Sequence, residues 1–182
     1  MKLIKASTIA LLMSLGALLA SNPLAANGLS KIPIKLKVVQ TQFRTSQDTN
    51  GDGEVAYQLT SHYKGAPGRA ESTGLSEVGY PVDPEGLCPA DFLAPVALPI
   101  LVLEDALVFQ DLSTLYISGT GLLCFDFVTF TGEVTADFDV VGGTGRFAGA
   151  SGQIHADFPD IYSPFVEYSV VIGQYEGTVY VP

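Results

Sequence analysis

The sequence predicts a single all-β domain of about eight strands, closed as a small barrel or stacked as a sandwich. Three observations predict it. Apolar and polar residues alternate with a period of two along most of the chain. Val, Ile, Phe, Tyr and Thr dominate these stretches. Beyond the N-terminal segment, no 12-residue window carries a helical apolar stripe, the best rival (92–108) being interrupted by Pro95 and Pro99.

The N-terminus reads as a secretory signal peptide over 1–26. Lys2 and Lys5 precede an apolar run (9–20), and Asn22, Pro23 and the small residues Ala25 and Ala26 close it. That run is shorter than the roughly 20 residues a membrane helix needs, so a retained membrane span is not expected. Cleavage after Ala26 leaves one domain, 27–182, and removes two lysines and no acid, taking the formal charge from −10 to −12. Such a surface repels phosphate backbones and anionic headgroups, and Lys31, Lys35 and Lys37 are too few to offset it, which argues against nucleic-acid binding. The export signal implies a secreted or periplasmic protein, a compartment where disulfides persist. Cys88 and Cys124, the only cysteines, are therefore expected to form one bridge worth about 3–4 kcal/mol by the chain-entropy estimate.

The first strand covers 31–44. Ile32, Ile34, Leu36 and Val38 alternate with Lys31, Pro33, Lys35 and Lys37, and the apolar phase continues as Gln40, Gln42 and Arg44. Either the inward face turns polar toward one barrel mouth, with Tyr57 of the next strand beside it as a ligand-contacting residue, or the strand leaves the barrel and these side chains meet water. On the first reading Arg44 would hold an anionic apolar ligand.

The segment 46–53 separates strands one and two. Asp48, Asn50, Asp52 and Glu54 place oxygens at alternate positions with Gly53 at the sixth, which is the opening of a calcium loop. Position twelve is Leu59 and the flanks are strands, so an Asn-Gly and Asp-Gly turn explains the same letters; calcium is a weak candidate and no other cofactor is expected. The second strand runs over 55–65 and a weaker third over 72–76.

Residues 80–100 carry Pro81, Pro84, Pro89, Pro95 and Pro99 and read as a long loop, since proline removes ladder donors. Its apolar run 92–103 could pack as core, cover the mouth as a lid, or form a contact in a homo-oligomer. Strands are then expected over 101–110, 115–130, 132–141, 151–158 and 165–181. His62 and His155 fall on the outward phase. His155 and Asp157 share a face, but no nucleophile setting accompanies them, and no catalytic residue is assigned. Two scattered histidines leave too few ligands for zinc.

The most distinctive run is Val140-Val141-Gly142-Gly143-Thr144-Gly145-Arg146-Phe147-Ala148-Gly149-Ala150-Ser151-Gly152. It reads as a strand end, a glycine turn and an aromatic plug at a barrel end, with Gly142, Gly143, Gly145, Phe147 and Gly149 as its structural residues; no helix or lysine follows to make it a phosphate cradle. Together with Ser118-Gly119-Thr120-Gly121 and the closing Gly173-Gln174-Tyr175-Glu176-Gly177-Thr178-Val179, the run resembles the allene oxide cyclase and dirigent barrel superfamily, in particular its bacterial branch, over 101–181.

The resemblance implies an eight-stranded antiparallel closed barrel whose lumen admits a small apolar molecule. It carries activity less well than fold. Plant allene oxide cyclases bear a buried Glu and Asn in the first strand, where Gln40, Gln42 and Arg44 stand here. Plant dirigent proteins use acids facing the lumen, whereas Glu133, Asp137 and Asp139 alternate with Val134, Phe138 and Val140 and are expected to face water. The leading expectation is an exported barrel that binds a small apolar molecule. A cofactor-free cyclase, isomerase or dirigent-type conformational guide stands second, and a structural or surface-interaction module third. The orientation of Phe125, Phe127, Phe138 and Phe158 decides whether the lumen is filled or open.

Overall fold

The structure, a computed structural model, describes residues 28–48, 51, 53, 56–162 and 168–182. The expected signal peptide lies outside the described residues. Eight antiparallel strands close into one barrel in sequence order: β1 (Ser30–Arg44), β2 (Ala56–Ala66), β3 (Arg69–Val78), β4 (Pro95–Phe109), β5 (Thr114–Asp126), β6 (Thr131–Gly143), β7 (Ser151–Tyr162) and β8 (Tyr168–Val181). Closure comes from β1, which pairs with β2 on one side and with β8 on the other, from Ser30↔Val181 to Phe43↔Tyr168. A closed sheet leaves no edge strand for aggregation. No helix among the described residues is long and apolar enough to cross a membrane.

Alternation decides which side chains go in. On β1, Ile34, Leu36, Val38 and Gln40 are buried and their neighbours exposed, and the same period runs through β6 and β8. Two register shifts change the phase. Between Ile100 and Leu103 of β4 the shift lets Leu98, Ile100 and Leu103 all face inward, and between Asp157 and Asp160 of β7 it turns Ile161 inward after Phe158.

Three expectations need correcting. The proline-rich loop ends at 94 and not at 100, because β4 begins at Pro95. Proline is tolerated as the first residue of a strand, and Pro99 sits next to the register shift, where its carbonyl accepts the Gly79 N–H at 2.8 Å. The fifth strand stops at Asp126 and not at 130, because the Asp126 carbonyl accepts the Phe130 N–H (2.9 Å) and Phe130 adopts φ 55°, which turns the chain. The seventh strand continues past 158 to Tyr162.

The two ends of the barrel differ. At the lower end, where β1 starts and β8 finishes, the segment 144–150 folds under the barrel and places Phe147, fully buried, against Phe109 with ring centroids 4.9 Å apart. The Arg146 guanidinium lies over both rings, 4.7 and 4.9 Å from their centroids, and pairs with Asp111 at 3.5 Å. Glycine is required here. A Cβ at Gly143 would stand 2.6 Å from the Phe147 Cβ, and Gly145 has φ +59° with Ser113 only 2.8 Å from where its Cβ would be. At the upper end, where β1 finishes, the lumen holds a cavity.

Candidate functional site

The lumen contains a cavity of about 90 Å³ at the upper end. The lining residues lie in the upper half of their strands, except Leu103, Phe138 and Tyr175 at mid-strand; odd strands run toward this end and even strands away from it. Gln40 and Gln42 of β1, Tyr57 of β2 and Ser76 of β3 bring polar atoms. Leu98, Ile100 and Leu103 of β4, with Phe138, Phe158 and Val171 from β6 to β8, supply much of the apolar wall. The inward phase of β1 therefore does turn polar toward the mouth. Gln40 is 4% exposed, and its side-chain carbonyl accepts the Ser61 hydroxyl at 3.2 Å, which fixes the amide and leaves its NH₂ group as the donor end. Gln42 accepts more weakly from Ser169, at 3.5 Å.

Arg44 departs from expectation. It is exposed at the strand end, outside the described cavity lining. Among the described residues the lining holds no Asp, Glu, Lys, Arg or His. Burying an uncompensated ion costs several kcal/mol, so the chamber suits neutral molecules. Its size also discriminates: ligand sites for drug-sized molecules run to about 300–1,000 Å³, so this one takes a small molecule or one end of a larger one.

Below the cavity lies a polar cluster that sequence reasoning missed. Asp105 on β4 is 6% exposed and faces inward between Leu103 and Leu107. Its Oδ2 accepts the Tyr63 hydroxyl (2.7 Å) and the Ser72 hydroxyl (2.9 Å), and its Oδ1 accepts the Ala106 N–H (2.9 Å). Burial pushes the Asp105 carboxyl above the ordinary carboxylate range, against the pull of Tyr63, Ser72 and Ala106. The Tyr63 ring, held by its bond to Asp105, packs edge-on against Tyr175 with centroids 5.3 Å apart. Burial, together with the Asp105 charge, keeps Tyr175 protonated far above the usual phenol range. The signal was present in the sequence: Leu103, Asp105, Leu107 and Phe109 form one alternating face with a single acid in it.

Of the four aromatic residues that decide the lumen's contents, Phe125, Phe138 and Phe158 are buried, while Phe127 is 47% exposed on the β5–β6 turn. Phe138 and Phe158 line the cavity and do not fill it. The Cys88–Cys124 disulfide is formed and ties the 79–94 loop to β5. Asp126, fully buried, fastens the same loop by accepting the N–H groups of Leu93 (2.8 Å) and Ala94 (3.2 Å). No residue of 79–94 is among the cavity's lining, and of the apolar run 92–103 the part from Pro95 onward is barrel wall.

In the weak calcium candidate, Asn50, Asp52 and Glu54 lie outside the described residues. The Asp48 carboxylate accepts the N–H groups of Gly51 (2.5 Å) and Gly53 (3.0 Å), as a turn requires. Among the described residues no group of three or more His, Cys, Asp or Glu side chains is placed to share a metal ion.

Asp137 and Asp139 are exposed on the outer wall, as expected, and Glu133 is half-buried there. His155 sits between two of the outer acids, with Nδ1 2.7 Å from Asp137 and Nε2 3.2 Å from Asp157. The hydrogen bond to Asp137 does most to raise its pKa above the usual 6.5. A raised folded-state pKa stabilises the fold below about pH 6.5, and the contribution is lost as pH rises through the folded value. The ring is half-exposed, so the effect on stability is small. An NMR titration of the His155 ring should show the elevated midpoint, and Asp137→Asn should bring it down; an unchanged midpoint in the variant would remove the pairing as its cause.

No family model matches the chain, and no curated protein matches it. Among solved structures, the chain is similar to the pterocarpan synthase dirigent protein PsPTS1, at 16% identity over 83% of this chain and 95% of that one, with a TM-score of 0.48. It is similar also to the pterocarpan synthase dirigent protein GePTS1, at 14% identity over 93% of this chain and 98% of that one, again with a TM-score of 0.48.

Proposed function

We propose that this protein is an exported barrel that binds a small, neutral, largely apolar molecule in the upper half of its lumen, polar end toward Gln40, Gln42, Tyr57 and Ser76. The observation that carries this reading is a cavity with apolar walls, a polar rim and, among the described residues, no charged side chain in its lining. A barrel built only for stability would fill this space as it fills the lower end, where Phe109, Leu115 and Phe147 pack solidly. The disulfide fits a site of action outside the reducing cytosol.

The test is a calorimetric titration with three probes of one shape: cyclohexanol, cyclohexylammonium and cyclohexanecarboxylate. The neutral alcohol should bind, and each ion should bind roughly tenfold or more weakly because its desolvation is not repaid. Val171→Phe, which adds volume to the cavity wall, should abolish alcohol binding. Equal affinity for all three probes, or binding that survives Val171→Phe, would place the interaction on the outer surface and end this reading.

A further inference from the structure

We propose that Tyr175 is the specificity-determining floor of the lumen: braced edge-on by the Tyr63 ring and stacked on Phe138, it sets the length of apolar ligand that the mouth admits. The inference rests on the lumen-binding reading above. In an eight-stranded ring, β8 and β4 are four strands apart by either route and so face each other across the lumen. Tyr175 leaves β8, yet its ring packs between Tyr63 of β2, whose hydroxyl donates to Asp105 of β4, and Phe138 of β6. Its ring therefore crosses the lumen as a bar.

The rings around it agree with this placement. Tyr175 packs edge-on against Tyr63 (5.3 Å) and Phe158 (5.9 Å), and stacks on Phe138 from β6 at 5.4 Å with an interplanar angle of 26°. Tyr175 and Phe138 are the deepest lining residues of their strands. Beneath them Leu36, the register partner of Tyr175, and Leu107 are fully buried in a packed lower core. A ligand that enters at the mouth stops at this aromatic pair.

The polar anchor itself supports a positional role. Burying the Asp105 carboxylate without a cation is costly, and a leucine at 105 would pack among Leu103 and Leu107 with no such penalty. What the carboxylate provides is direction. It fixes the Tyr63 hydroxyl, and the Tyr63 ring so held meets the Tyr175 ring edge-on. The ligand class follows: neutral, with one polar end at the mouth and a narrow apolar tail of limited length.

Straight-chain primary alcohols from butanol to dodecanol, titrated calorimetrically into the full folded chain, read this directly. For the unaltered protein, affinity should rise about fourfold with each added methylene until the tail reaches Tyr175, and then stop rising. Tyr175→Leu removes the bar while keeping the site apolar, and should move the cut-off to longer chains. Phe138→Leu shortens the other half of the floor and should move it in the same direction, so either variant suffices if the other fails to fold. A cut-off at the same chain length in the unaltered protein and the variants overturns the role of Tyr175 while lumen binding stands. Absence of any binding by the unaltered protein overturns both.

Discussion

Phe147→Ala should lower the free energy of unfolding by about 3–5 kcal/mol, the usual cost of truncating a fully buried phenylalanine. The value belongs at the high end, because the site cannot collapse. The ring is held by Phe109 on one side and by the Arg146 guanidinium on another, while the glycine-rich turn that carries it offers no other apolar side chain larger than alanine to move into the gap. The vacated space also lies at a barrel end, where water can reach the apolar core. Urea denaturation with an unchanged m-value is the measurement. Phe147→Leu, which keeps most of the volume, should cost far less. A loss below about 1 kcal/mol for the alanine variant would show that the lower end is closed by something other than this ring.

The second large effect is that of the disulfide. The double variant Cys88→Ser, Cys124→Ser should lose about 3–4 kcal/mol, since the bridge closes a loop with a sequence separation of 36 and removes that freedom from the unfolded chain. The native loop should stay in place, because the Asp126 carboxylate, the Gly79–Pro99 bond and the Val82–Ala97 bridge still hold it. The expected signature is thus a lower denaturation midpoint with an unchanged far-UV spectrum, and unchanged ligand binding because the loop does not line the cavity. Faster ligand entry after reduction would contradict the assignment of this loop to the wall.

The fold was legible where one rule governed a whole segment. Alternation gave the strands around Ile34, Leu36 and Val38, and the same phase carried Gln40 and Gln42 into the lumen. It failed where backbone irregularity intervened. The register shifts at Ile100/Leu103 and Asp157/Asp160 leave no mark in composition, so the start of β4 and the length of β7 were misread, and Pro95 and Pro99 looked like loop residues.

Arg44 was misplaced for a related reason: period two predicts the face of a strand and not where the strand passes the rim. Asp105 was overlooked although its phase was readable. Attention to the acids of β6, which do lie on the outer wall, hid a single acid set among leucines on β4. That Tyr63 meets that acid and that Tyr175 packs against Tyr63 depends on closure of the ring, which no local pattern encodes.

The central claim is that the upper lumen, and not the outer surface, receives the ligand. Intermolecular nuclear Overhauser effects from bound cyclohexanol to the protein's methyl and aromatic protons locate it directly. The claim predicts contacts to Leu103, Leu123, Val134, Val171 and the Tyr175 ring, all of which line the cavity. Contacts confined to Leu93, Val128 and Phe130, the exposed apolar side chains of the mouth-side loops, would contradict it.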